Sequence, residues 1–217
     1  FINMYKIKKI AEIQNSFKNA PVYYIDETTS TMKLAEDYCS SNSTISGMVF
    51  IAGSQTAGRG RVPGRKWETV KDQNLLFTIV LSKADMGVNP LSVIVGLGIA
   101  EYLEKHHKIK PEIKWPNDIL VNGRKIAGII IESRKGLYNI GIGININQTE
   151  FLKSISETAT SLSIEKNNKF DPILELQLIL AELKEVLNIN SWHNEISSRL
   201  FNIGKEVSVN TGIPGKE

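Results

Sequence analysis

Residues 58–67 read Gly-Arg-Gly-Arg-Val-Pro-Gly-Arg-Lys-Trp, with three glycines, three arginines and one lysine in ten positions. Glycine lets backbone N–H groups approach a ligand closely, and each guanidinium offers planar donors matched to phosphate and carboxylate oxygens. The chemistry of such a loop is anion binding. Its spacing excludes two common phosphate motifs. Gly58, Gly60 and Gly64 read G-x-G-x-x-x-G, one residue off the dinucleotide fingerprint, and no Gly-Lys-Ser/Thr follows to make a P-loop. Taken alone, the segment is equally open to a basic surface loop that binds RNA or binds nothing.

Further groups follow in order: Lys114-Trp115-Pro116-Asn117-Asp118, Lys125-Ile126-Ala127-Gly128 and Gly141-Ile142-Gly143-Ile144-Asn145. Ser30-Thr31 and Gln55 precede the arginine loop, and Ala159-Thr160-Ser161-Leu162 comes later. Together and in this order they resemble the biotin–protein ligases (biotin–[acetyl-CoA-carboxylase] ligases). The likeness runs over roughly residues 23 to 200. It implies a two-step reaction in which the biotin carboxylate attacks the α-phosphorus of ATP and a lysine of an acceptor protein attacks the resulting anhydride.

An anion attacking a polyanion needs its charges neutralised and its in-line geometry held. Arg59, Arg61 and Lys125 are the candidate clamps on carboxylate and α-phosphate, with Mg²⁺ on the phosphate oxygens and no protein metal site expected. Asn117 and Asn145 stand at nucleotide- and metal-proximal positions of the family, and Arg65 joins them on the ATP side. Trp67 stands where the family sets a ring against adenine; as a bare tryptophan it reads as core. The ureido ring of biotin needs directed hydrogen bonds in an otherwise apolar pocket. Ser30, Thr31 and Gln55 match the family positions for that task, beside Gly58; taken singly, Ser30 and Thr31 are helix caps. Gly128, Gly141 and Gly143 are expected to open a slot for the valeryl chain, a role compatible with glycine serving bulges or tight packing.

For the second step the acceptor lysine must lose a proton, and Asp118 is the candidate that positions it. Lys114 is the candidate that holds the loop and the anhydride, with a structural ion pair between Lys114 and Asp118 as the alternative. Residues 58–71 are expected to order over the intermediate and exclude water. Three departures from the family pattern are visible: Val62-Pro63 where many members have one residue, Glu68-Thr69-Val70 after the tryptophan, and Met32 where asparagine is common. The alternative within the same fold is a lipoate–protein ligase or octanoyltransferase, although the Arg-Arg-x-x-Gly-Gly-Gly type of segment is missing. An alternative from another class is a non-enzymatic nucleic-acid-binding domain.

The elements that must position these groups follow from periodicity. Thr28–Thr31 caps a helix from about Met32 to Ser40. Gly47–Ala52 and Leu75–Leu81 read as strands on either side of the arginine loop. Leu91, Ile94, Val95, Ile99, Tyr102 and Leu103 recur at helical spacing after Pro90, which suits a first helical position. Strands are expected at Ile113–Trp115, Ile119–Val121, Lys125–Glu132 and Tyr138–Ile144, with Asn122-Gly123 as a hairpin turn. Asp171-Pro172 opens a helix carrying Ile173, Leu176, Leu180, Leu183 and Leu187; another is expected over Ser191–Leu200, then a strand at Glu206–Val209.

This order predicts an α+β fold: a mixed sheet with helices on one face, as in the class II synthetase-like catalytic domain of the resembled family. Residues 1–200 are the expected catalytic domain, and 201–217 the first strand of a reduced or truncated SH3-like domain. Only about twenty residues precede Tyr23, too few for a DNA-binding winged helix, so a monofunctional ligase is expected. A net charge of +3, with 41% hydrophobic and 23% charged residues, gives no bulk electrostatic case for nucleic acid and concentrates attention on the loop. One cysteine, Cys39, rules out an internal disulfide. No signal-like or membrane-length apolar run is present. A cytoplasmic location is expected, with biotin, ATP and a biotin carboxyl carrier domain as partners, no nucleic acid or membrane, and monomer or homodimer left open.

Overall fold

The computed structural model describes residues 7–62, 64, 66–85, 90–189 and 192–206. The strands are β1 (Lys8–Ile10), β2 (Val22–Thr28), β3 (Met48–Gln55), β4 (Asn74–Ser82), β5 (Pro111–Lys114), β6 (Asp118–Val121), β7 (Arg124–Arg134) and β8 (Leu137–Asn145). The helices are α1 (Thr31–Ser41), α2 (Leu91–His107), α3 (Leu162–Lys166), α4 (Pro172–Val186) and α5 (Trp192–Ser197). The strands form one sheet in the order β1-β2-β3-β4-β8-β7-β6-β5. It is mixed, because β2 and β3 run parallel while the other neighbours are antiparallel.

Two-residue alternation assigns the faces. Leu75, Phe77, Ile79 and Leu81 of β4 and Ile140, Ile142 and Ile144 of β8 join the large core formed with α2 and α4. Met48, Phe50 and Ala52 of β3 and Val80 of β4 instead meet Leu34 and Ala35 of α1 on the opposite face. The α+β class is as expected, with the long helices together and α1 across the other side. Complete burial of side chains such as Tyr102, Phe50 and Phe77 contributes about 1.5–3 kcal/mol each.

Helix α2 differs from its one-sided sequence pattern: residues 93–103 are buried throughout, because β5, β6 and β7 lie on one side and α4 and α5 on the other. Gly98 permits this, since a Cβ there would stand 2.8 Å from Leu183 Cδ2. Pro90 is the N-cap rather than the first helical residue; its carbonyl accepts from Val93 and Ile94. Asn122 and Gly123 both take positive φ (52° and 74°), as a two-residue hairpin turn between β6 and β7 demands. Asp171 caps α4 by accepting from Ile173 N.

Strands β1 and β2 and the short α3 were not apparent from pattern. β1 has no strand signature of its own and is held by pairing with β2. Helix α5 is shorter than Ser191–Leu200, because Arg199 and Phe201 hydrogen-bond with Ile113 on the edge strand β5. The strand expected at Glu206–Val209 lies outside the described residues from Val207 onward. Among the described residues no helix is long and apolar enough to cross a membrane.

Candidate active site

On the α1 side of the sheet, a cavity of about 60 Å³ opens between α1, the arginine loop and strands β7 and β8. Alternation explains its floor. Ile140, Ile142 and Ile144 serve the helix-side core, so Gly141 and Gly143 face the other way and leave space where side chains would stand. Gly128 and Ile130 of β7 extend this floor. The space beside Gly141 is partly taken by Met32, whose Sδ lies 2.7 Å from the position a Cβ would occupy.

The uncharged end is a hydrogen-bond chain. Ser30 caps α1 and its Oγ accepts from Met32 N at 3.3 Å. Gln55 Oε1, at the end of β3, accepts from Thr31 N at 2.8 Å and from Thr31 Oγ1 at 3.2 Å. With Oε1 so occupied, the Gln55 amide presents Nε2, a donor. Thr31 Oγ1 in turn accepts from Thr78 Oγ1 at 2.9 Å.

The cationic end depends on an irregularity in β7. Lys125 and Gly128 are three residues apart and on a regular strand would face opposite sides. The β6–β7 register pairs Ile119 with Ala127 but Leu120 with Lys125, so Ile126 is an extra residue. This bulge reverses the alternation, and Lys125 and Gly128 both line the cavity while Ile126 and Ala127 both enter the core. The backbone of Lys125 is gripped by residues 158–160: its N donates to Thr158 O and its O accepts from Thr160 N. Its ammonium lies 2.7 Å from Asp118 Oδ1.

The arginine loop crosses above. Arg59 and Lys66 form an antiparallel bridge that closes it, and Trp67 N donates to Gly58 O. Arg59 pairs with Glu132 of β7, and Arg61 Nε donates to Asn117 Oδ1 at 3.2 Å. Arg59, Gly60, Arg61 and Asn117 line the cavity. Gly58 does not line it but abuts Gln55 Nε2 and the Trp67 backbone. Arg65 lies outside the described residues.

Besides Gly58, the candidates Lys114, Asp118 and Asn145 do not line the cavity. Lys114 faces Asp118 in the β5–β6 register, yet its ammonium lies 5.7 Å from the centre of the Phe201 ring, and Asp118 pairs with Lys125. Asn145 is buried and donates to Thr160 O, one hydrogen bond behind the Lys125 backbone.

Trp67 fills the centre. Its indole covers the glycine floor, with Cε2 2.7 Å from the Cβ position of Gly143 and Cζ3 3.0 Å from that of Gly128. Lys125 Nζ lies 5.3 Å from the ring centre, a cation–π contact. The indole Nε1–H is buried with no acceptor among the described residues. The slot expected for the acyl chain is therefore occupied by this side chain. Gly60, Ile129, Ile130 and Ile142 also line the cavity and were missed as site residues; Met32, singled out only as a departure from the family's asparagine, lines it too. Met32 adjoins Ser30-Thr31 in sequence, which was the available signal.

A model of the biotin/lipoate A/B protein ligase family matches residues 24–147, a segment that contains the arginine loop, Lys125 and the glycine floor. The chain belongs to this family. Among curated members, a bifunctional ligase/repressor BirA from Bacillus subtilis is 34% identical over 167 residues, covering 72% of this chain and 50% of that protein. A biotin–[acetyl-CoA-carboxylase] ligase from Mycobacterium tuberculosis is 34% identical over 128 residues, covering 56% of this chain and 47% of its own length. The chain spans about half the length of the curated relatives it matches. Among solved structures, the biotin protein ligase from Aquifex aeolicus in complex with biotin and ATP superposes with a TM-score of 0.76 at 28% identity, covering 83% of this chain and 78% of that one.

As a site in a biotin/lipoate ligase, the cavity has a clear polarity. Hydrogen-bonding groups without charge stand at the Ser30–Gln55 end, and the cations Arg59, Arg61 and Lys125 at the other. Among the described residues no group of three or more His, Cys, Asp or Glu comes together that could hold a metal ion. Asp118 is engaged by Lys125, and Glu132 by Arg59.

Proposed function

We propose that this chain activates biotin with MgATP to biotinyl-5′-AMP and transfers the biotinyl group to a lysine of a biotin carboxyl carrier domain. The observation that carries this reading is the hydrogen-bond polarity of Thr31 and Gln55. A cyclic urea has one carbonyl and two N–H groups. Gln55 Nε2 and the Ser30 hydroxyl are donors for that carbonyl, and the free lone pair of Thr31 Oγ1 is an acceptor for an N–H. A lipoyl dithiolane or a plain acyl chain has no group to use them, and leaving them buried and unpaired would cost binding. The lipoyl and octanoyl alternatives are therefore disfavoured.

In the first step a carboxylate oxygen of biotin attacks the α-phosphorus and pyrophosphate leaves. Arg59, Arg61 and Lys125 neutralise the converging negative charge, and Asn117 bonds the nucleotide without adding charge. Magnesium arrives on the phosphate oxygens as part of the substrate. Trp67 leaves the glycine floor to admit the valeryl chain and stacks on adenine, and the closed loop excludes water from the anhydride. In the second step the neutral amine of the acceptor lysine attacks the acyl carbon and AMP departs; Asp118 receives or orients the amine proton. Asn145 supports the Lys125 strand through Thr160. Lys114 holds the loop between β5 and β6, and Arg65 contacts ATP. The same reading places the protein in the cytoplasm, with no nucleic-acid partner.

The test is biotin-dependent exchange of labelled pyrophosphate into ATP, with lipoate and octanoate in parallel, followed by incubation with a purified carrier domain read by mass. Exchange with biotin alone and a carrier heavier by one biotinyl group are expected. Exchange driven by lipoate or octanoate would transfer the chain to the other branch of its family.

A further inference from the structure

The chain of hydrogen bonds that reaches the cavity begins behind it. Thr78 is in the middle of β4, paired with Phe50 and Gly141, wholly buried and absent from the cavity lining. Its side chain shares the α1 face with Leu76 and Val80, where a valine would fill the same volume and leave no hydroxyl to satisfy. The Thr78 hydroxyl donates to Thr31 Oγ1 at 2.9 Å. Thr31 Oγ1 sends its own proton to Gln55 Oε1, which also takes the Thr31 N–H.

A threonine hydroxyl has one proton and two lone pairs, and its rotor turns to suit its partners. Thr31 therefore has one lone pair filled by Thr78 and its proton committed to Gln55. What remains toward the cavity is one acceptor site. Gln55 in turn is held with Oε1 inward and Nε2 outward. Successive hydrogen bonds of this kind polarise one another in a low-dielectric interior.

We propose that Thr78 is a positioning residue for recognition of the ureido ring. It touches no substrate. By donating to Thr31 it sets that hydroxyl as an acceptor for a ureido N–H and keeps the Gln55 amide turned as a donor. This role rests on the reading of the cavity as a biotin site. Without the Thr78 hydroxyl, Thr31 is free to rotate its proton into the cavity, where it opposes a ligand N–H.

The experiment is calorimetric titration of the chain with biotin, for the wild type and for T78V, T78S, T31V and the T31V/T78V double variant, alongside steady-state kinetics. T78V is expected to weaken biotin binding three- to tenfold and to raise KM for biotin by the same factor, with KM for ATP unchanged. T78S, which keeps the hydroxyl, is expected within twofold of the wild type. In the T31V background T78V adds nothing, because the hydroxyl it controls is gone. If T78V melts too early to titrate, T78A removes the same hydroxyl with a smaller side chain. Equal losses in T78A and T78S would assign the effect to the methyl group and overturn the proposal. Wild-type affinity in T78V, or an undiminished effect in the T31V background, would overturn it too, leaving the proposed function intact. A wild-type chain that does not bind biotin would overturn both.

Discussion

The Lys125 ammonium sits 2.7 Å from the Asp118 carboxylate at the edge of the cavity, on two strands whose register is broken by one extra residue. Both side chains are about a quarter to a third exposed. The pair fixes the lysine beside the arginine loop before any substrate arrives. We expect Lys125→Ala to lower the rate of biotinyl-AMP formation at least tenfold, since losing a charge-assisted contact costs about 1.4 kcal/mol or more. Near-normal adenylate yield in a single-turnover assay would remove Lys125 from that role.

A second expectation concerns Gly143. A side chain there meets the Trp67 indole at 2.7 Å. Gly143→Val should cost about 1–3 kcal/mol of stability by overpacking and weaken biotin binding at least tenfold. Adding Trp67→Ala should restore the stability, measured by urea unfolding, without restoring biotin affinity. Recovery of both would show that the glycine serves only to seat the indole.

Arg59 is tied to Glu132, with both side chains about half exposed. Exposed pairs contribute about 0–1 kcal/mol, so Glu132→Gln should leave the melting temperature nearly unchanged. It should lower KM for biotin two- to fivefold if Arg59 must leave this partner to reach the carboxylate. A higher KM would mean that Glu132 holds Arg59 in its working place.

The outer face of α2 and α4 predicts an acid-sensitive contact away from the site. Burial alone would push the Glu182 carboxyl up, but hydrogen bonds from Lys105 and His106 outweigh it and hold the group below its ordinary value of 4.5. A depressed carboxyl contributes stability that is present above the ordinary value and lost as the pH falls through the folded one. Glu182→Gln should therefore cost about 1–2 kcal/mol near neutrality and flatten the fall in stability below pH 4.5. Hydrogen bonds to Glu101 and then Glu182 raise Lys105, so its share persists up to its ordinary value and is lost as the pH rises through the folded one. Parallel acid profiles for variant and wild type, from unfolding across pH, would refute the assignment.

Much of this was readable from residues alone. The apolar run of β4, the Tyr138–Ile144 strand, the Asn122-Gly123 turn and the Asp171-Pro172 start of α4 are local signals, because strand-forming side chains and backbone φ values are set by residue type. The family resemblance rested on residue types in order, and Ser30, Thr31, Gln55, Arg59, Arg61, Asn117, Lys125 and the three floor glycines do share one cavity. Strand β1 escaped notice because its pairing, not its composition, makes it a strand.

Other features were decided only by contacts between distant segments. The extra residue at Ile126 turns Lys125 toward Gly128, and spacing along one strand carries no sign of the partner strand that creates the bulge. Whether Asp118 meets Lys114 or Lys125 depends on which side chain crosses the sheet, and Lys114 lies over Phe201 instead. Trp67 could have been read against adenine or as core; a floor without side chains on β7 and β8 draws the indole down to cover it. The sequence thus determined which chemical groups are available. Packing across the sheet determined which of them face one another, because a strand's two faces are assigned by its neighbours as much as by its own alternation.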